Sequence, residues 1–161
     1  MEHCGDETPE NELLLDEMYD GCLLGVAGTC AETAPAYDYL ELSKMIVKNK
    51  NMSPKEAIDY FNTEILDKYP YTMFIYITDD IKENISKYNE DMLFLDGFDS
   101  ALIGFKMQKD CDMISVYDDV KCVNSLMEDG MEEETDAIEY FEFNVRGSYV
   151  GENTPCILTL F

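Results

Sequence analysis

The segment YDGCLLGV at residues 19–26 recurs as FDSALIGF at residues 98–105, and the architecture is read outward from that recurrence. Asp20, Leu23 and Gly25 stand opposite Asp99, Leu102 and Gly104, 79 residues on. One residue further out of step, AYD (36–38) matches VYD (116–118). The same offset of 80 aligns AIDYF (57–61) with AIEYF (137–141), where only Asp59 and Glu139 differ. Three anchors in one order point to a divergent tandem duplication.

Each half reads alike. LLGVA and ALIGF are short apolar runs that suit buried strands, and APAYDY and MISVYD suit second strands. Each second strand ends at an aspartate, Asp38 or Asp118, able to cap a helix; helices are expected over roughly 40–49 and 119–128. The next helix has the clearest start: Ser53 as N-cap, Pro54 at the first helical position, and Glu56 completing a capping box. Ile58, Phe61 and Ile65 are expected on one apolar face, with Ile138, Phe141 and Val145 repeating it. TMFIYI (72–77) and CILTLF (156–161) have strand composition. Each unit is therefore β-β-α-α-β. Four segments follow: a disordered acidic tail over 1–12, a degenerate first unit over 13–78, a bridging helix over 79–92, and a second unit over 93–161. The bridge rests on Ile81, Ile85, Tyr88 and Met92 at helical spacing, with Asp80 and Glu83 able to cap its start. Units this small are hardly stable alone, so one α+β domain with pseudo-twofold symmetry and a shared core is expected.

Charge is the outlier of the composition. Across 161 residues, 35 Asp and Glu face 11 Lys and Arg, a formal −24, while 46% of the chain is hydrophobic, enough for a core. Residues 1–80 carry 17 acids and 5 bases and residues 81–161 carry 18 and 6, so each half is −12. Such a field repels phosphate backbones and anionic lipid, which argues against direct contact with nucleic acid or a membrane. No apolar run reaches a membrane span, and MEHCGDETPENE is acidic where a signal peptide is basic and then apolar. A cytoplasmic setting is expected.

Cysteine and histidine exclude much chemistry. Cys4, Cys22, Cys30, Cys111, Cys122 and Cys156 contain no close pair, so reduced thiols, several of them in the core, are expected over a disulfide framework or a zinc site. The single histidine, His3, lies in the N-terminal tail, which leaves no base for a Ser-His or Cys-His nucleophile. NEDMLFLDGFDS and SLMEDGMEEETD fail the calcium-loop pattern, and no phosphate-binding glycine motif is present. A paired-carboxylate enzyme cannot be located among so many acids. No catalytic residue, metal or cofactor is assigned, and a non-enzyme is expected.

The second half carries a resemblance. Asp99, Ala101 and Gly104, then Tyr117, Asp118 and Lys121, lead into EYFEFNVRGSYVGENTP (139–155). In order these resemble D-x-A-x-x-G, YD-x-x-K and E-Y-F-x-[FY]-N-V-x-G-x-[YW]-V-G-x-x-T-P, the pattern of a family of short, mostly uncharacterised proteins of tailed phages and some bacteria. The matches of the last block are Glu139, Tyr140, Phe141, Phe143, Asn144, Val145, Gly147, Tyr149, Val150, Gly151, Thr154 and Pro155. Coverage is about residues 96–161. The first half departs from the pattern after AIDYF, reading NTEILDKYPYT. The resemblance implies a phage or prophage setting and an α+β fold, and it implies no activity. Ten lysines against the single Arg146 fit a viral genome of low GC content.

Two surfaces stand out. The segment GSYVGENTP (147–155) permits a tight loop, with Asn144, Tyr149, Glu152, Asn153 and Thr154 as candidate ligand contacts; its plainer reading is a turn joining the last helix to the last strand. The second is acidic: Asp110, Asp112, Asp118, Asp119, Asp129, Glu132, Glu133, Glu134, Asp136 and Glu139. Its plainer reading is a solvated helix start. Its sharper reading is a surface of carboxylates imitating nucleic-acid phosphates, since −24 far exceeds the charge of about 2–8 that solubility needs. The expectation is a protein-binding phage-type protein in the host cytoplasm, acting on a host protein that handles nucleic acid. The alternatives are an accessory viral protein whose acidity only solvates it, and a small-ligand module using the loop. A homodimer through a strand edge also stays open.

Overall fold

A computed structural model describes residues 14–30, 32–78, 89–107 and 113–161. The first half contains β1 (Leu23–Gly28), β2 (Thr33–Asp38), α1 (Tyr39–Lys50), α2 (Pro54–Tyr60) and β3 (Met73–Ile77). The second repeats that order with β4 (Leu102–Met107), β5 (Ile114–Asp118), α3 (Asp119–Glu128), α4 (Glu134–Tyr140) and β6 (Cys156–Leu160). The fold is thus mixed α and β. The six strands close into one barrel in sequence order, which the sequence analysis did not anticipate. Within each half the first two strands are antiparallel and the second and third parallel; β3–β4 and β6–β1 are antiparallel seams joining the halves. Those seams pair residues of different halves, and no local periodicity encodes them. Closure leaves the described strands without a free edge for dimerisation.

The registers repeat between halves. Leu23 faces Tyr37 and Gly25 faces Ala36, with a shift between them; Leu102 faces Tyr117 and Gly104 faces Val116 with the same shift. The shared glycines have a steric cause. A Cβ on Gly25 would lie 2.0 Å from the Thr159 carbonyl oxygen, and one on Gly104 would lie 2.0 Å from that of Tyr76. Both glycines therefore let the halves approach at the seams.

The barrel interior is filled mainly by small and medium side chains: Ala27, Ala34, Ala36, Met73, Ile75, Val116, Cys156 and Leu158. Each helical hairpin covers the outside of its own half. Leu42, Ile46, Ala57 and Phe61 pack on Tyr37 and Phe74; Cys122 and Phe141 pack on Tyr117 and Ile157. Two buried tyrosines clamp the segments that lead into β1 and β4. The Tyr37 hydroxyl accepts from the Leu15 amide at 3.0 Å, and the Tyr117 hydroxyl accepts from that of Leu95 at 2.8 Å.

Caps form where the sequence places them. Asp38 and Asp118 accept from the amides of Glu41 and Lys121, each at 3.1 Å. Ser53 and Glu56 form the reciprocal capping box. The apolar stripe differs from expectation. Ile58 and Ile138 are 48% and 41% exposed, while Ala57 and Ala137 are buried with Phe61 and Phe141. Both α2 and α4 continue into a π turn, Phe61–Ile65 and Phe141–Arg146. The buried residues of the first half recur every fourth position, Ala57, Phe61 and Ile65, and the small alanine brings the helix close to the barrel. The bulkier Ile58 is left on the flank.

Of the expected bridging helix, residues 79–88 lie outside the described residues and 89–92 are non-helical, with Asn89 Oδ1 accepting from the Asp91 amide at 2.8 Å. The expected tail over 1–12 also lies outside the described residues. Cys22, Cys122 and Cys156 are buried free thiols, and Cys30 is an exposed one. Burial pushes the Cys122 and Cys156 thiols up to about 12, which keeps them protonated and unreactive at neutral pH.

Candidate functional site: two unlike hairpins

The hairpins occupy equivalent places but carry opposite chemistry. Residues 39–60 hold Lys44, Lys48, Lys50 and Lys55 against Glu41, Glu56 and Asp59, a formal +1. Residues 119–140 hold Lys121 against eight carboxylates, a formal −7. The equal charge of the halves conceals this difference.

In the first half the hairpin leaves a groove of about 680 Å³ against the barrel. Leu40, Ser43, Lys44 and Val47 line it from α1, at the i, i+3, i+4, i+7 spacing of one helix face. Pro54, Ala57 and Ile58 line it from α2. Its floor is Tyr76 on β3 with Phe105 and Met107 on β4, paired across the seam between halves. The Tyr76 and Phe105 rings stack at 5.0 Å with 12° between their planes. Tyr39 closes one end, with its ring edge against Phe61 at 4.8 Å.

The corresponding space in the second half is narrower, about 270 Å³, and more polar. Asp119 stands where the first half has Tyr39, and Arg146 where it has Leu66. Arg146 bonds Asp119 and Glu142, each at 3.0 Å, and Asp119 also accepts from the Thr159 hydroxyl at 2.6 Å. An ion pair thus occupies the position of an aromatic contact.

A different concavity, also about 680 Å³, opens on the outer side of α4. Asp136, Glu139, Glu142 and Asn144 line it together with Met131, Tyr140 and Phe143. Phe143 is 83% exposed. Three carboxylates around exposed aromatic rings form a surface that fits cationic side chains, through charge pairing and through the ring faces.

The sequence candidates divide accordingly. Asp136 and Glu139 from the acidic set and Asn144 from the loop set meet in the α4 concavity. Asp129, Glu132, Glu133 and Glu134 are exposed around the start of α4. Asp118 is buried as the cap of α3, and Asp119 is held by Arg146 and Thr159, so both serve the fold. Asp110 and Asp112 lie outside the described residues. In the loop, Thr154 Oγ1 accepts from the Val150 amide at 2.9 Å and donates to the Gly151 carbonyl at 2.6 Å. Asn153 accepts from the Asn89 side chain at 3.1 Å, and Asn144 donates to the Tyr140 carbonyl at 3.2 Å. Tyr149 and Glu152 are exposed. The segment does join α4 and its π turn to β6.

The first-half groove is what the sequence analysis missed. Positions 40, 43, 44 and 47 share a helix face legible from spacing alone. The floor could not be found that way, because Tyr76 and Phe105 meet only across the β3–β4 seam. Among the described residues, no group of three or more His, Cys, Asp and Glu side chains is arranged to hold a metal ion, and no helix is long and apolar enough to cross a membrane. Comparison with family models, curated proteins and solved structures returned no match.

Proposed function

We propose that this protein acts without catalysis, by binding another protein through the acidic face of α3 and α4. The partner's binding surface is one that ordinarily meets nucleic acid, so that carboxylates stand in for phosphates. The observation carrying this reading is the α4 concavity: Asp136, Glu139 and Glu142 surround an 83% exposed Phe143, at a hairpin charged −7 where its counterpart is +1. Because the same frame tolerates a near-neutral hairpin, the fold does not require that acidity. A basic channel meeting this face would pair its Lys and Arg with carboxylates and stack over Phe143. The wider setting follows the resemblance: a phage-type protein working in the host cytoplasm, built from a tandem duplication whose second half keeps the family pattern. The matching registers of the two halves support that origin.

The test is capture of partners from nuclease-treated host lysate, elution in salt steps, and competition of the captured protein by duplex DNA. A protein that leaves at moderate salt, is displaced by DNA, and is lost on combined Glu132→Lys, Glu133→Lys and Glu134→Lys supports the reading. Capture indifferent to salt, to DNA and to those reversals overturns it, and leaves the acidity as solvation.

A further inference from the structure

We propose that the first-half groove is a binding site for a single-chain anionic amphiphile, a long-chain monocarboxylate, whose tail lies on the Tyr76–Phe105 platform and whose carboxylate meets Lys44. The site stands apart from the acidic face, and either can fail without the other.

Size and shape come first. About 680 Å³ lies within the range of small-molecule sites, and the walls come from three elements: α1, α2 and the β3–β4 seam. The stacked rings offer a flat apolar floor. Met107 and Met113 are unbranched and can adjust around an alkyl chain.

Charge then selects the class. More than one residue in five of this chain is acidic, 35 of 161, yet among the described residues none that lines the groove is. The charged side chain among those described lining residues is Lys44. A cationic amphiphile would place like charge beside that ammonium, and a neutral one would leave it unused. Lys44 already pairs with Glu41 at 3.0 Å, but both side chains are more than half exposed, 72% and 54%. Such a pair contributes little, and an ammonium has three donors, so a ligand carboxylate can share it. The net charge of −24 opposes an approaching anion at a distance. That field is largely screened beyond ~8–10 Å at physiological salt, and the hairpin bearing the groove is itself +1. The equivalent space in the second half is narrowed to about 270 Å³. Arg146 lines it with its partners Asp119 and Glu142 and with Glu134, so it offers an alkyl chain and a carboxylate no comparable fit.

The experiment titrates the full chain by calorimetry with dodecanoate, dodecan-1-ol and dodecylammonium, each below its aggregation threshold. One saturable site for dodecanoate is expected. Lys44→Ala should weaken dodecanoate roughly two- to fivefold while leaving dodecan-1-ol unchanged. Ile58→Glu, at an exposed lining position, should abolish both. Ser43→Trp, which fills the groove, should do the same and adds a fluorescence report in a chain with no tryptophan. Several results would overturn the proposal: no saturable binding, binding untouched by both blocking changes, or dodecylammonium binding tighter than dodecanoate in a manner those changes remove. Self-association of the free protein that Ile58→Glu abolishes would also overturn it, assigning the groove to a second copy.

Discussion

The first hairpin rests on the barrel through rings: Phe61 against Phe74 at 5.0 Å and Tyr39 beside Tyr76 at 6.2 Å, with Tyr76 itself stacked on Phe105 across the seam. The second uses charge there: Arg146 ties Asp119 to Glu142 within the hairpin, its guanidinium 5.3 Å from the Phe141 ring centre, and Asp119 accepts from Thr159 on β6. The backbone is common to both, down to the register shift before each seam glycine and the π turn after each helix. What differs is a handful of side chains facing the gap between helix and barrel. Aromatic rings leave an open, apolar groove there, without an acid among its described lining residues, whereas an ion pair narrows the second-half space. The frame is therefore permissive at this position, and surface chemistry is where the halves differ.

That comparison is open to direct attack. The largest effect is expected at the seams, where the halves should behave alike. Gly25→Ala and Gly104→Ala each force a Cβ to within 2.0 Å of a backbone oxygen, and each should cost about 3–5 kcal/mol in chemical denaturation. A severe loss in only one half would break the equivalence of the seams.

Next comes the residue on which each hairpin turns. Phe61→Ala and Phe141→Ala should both cost about 3–5 kcal/mol, read as shifts in the urea midpoint. Phe61 has two edge-to-face ring partners, so its loss should exceed that of Phe141 by about 1 kcal/mol. An equal loss would show that the aromatic cluster adds nothing beyond burial.

Arg146→Leu, which installs the first half's residue, should be milder. Asp119 would keep the Thr159 hydroxyl, and the pair is partly exposed, so a loss of about 1 kcal/mol is expected. A loss several times larger would mean that the ion pair organises the second hairpin.

The last effect is one of pH; it is absent at neutrality and appears only in alkaline solution. Folding raises the Cys122 and Cys156 thiols from 9.0 to about 12, chiefly by burial. The folded state thus favours the protonated form. Its contribution is complete below pH 9 and is lost as pH rises from 9 towards 12. Urea midpoints should be insensitive to these thiols up to about pH 9 and should fall above it. Replacing Cys122 by alanine should flatten that fall, even though it lowers stability at neutral pH. The first half has Leu42 at the place equivalent to Cys122, and its own raised thiol is Cys22, which burial also pushes up.

Much of the frame was legible because it is local. Asp38 and Asp118 announce their caps, and Ser53, Pro54 and Glu56 announce a helix start, since each partner lies within four residues. The stripe was misread at Ile58 because spacing identifies a face without saying how near the helix comes to the barrel. Ala57, the smaller residue, sets that distance and takes the buried place. The acidic candidates were found by composition, but only structure separated Asp118 and Asp119, committed to the fold, from Asp136 and Glu139, which line a concavity.

By itself, the sequence determined the unit order, the helix starts and a charge of −24, because these depend on neighbours in the chain or on counting, whereas which thiols enter the core was decided by tertiary structure. Barrel closure, the two glycine seams and the groove were decided by tertiary structure alone. Each requires residues from different halves, such as Tyr76 and Phe105, to meet through backbone pairing whose register no local pattern records.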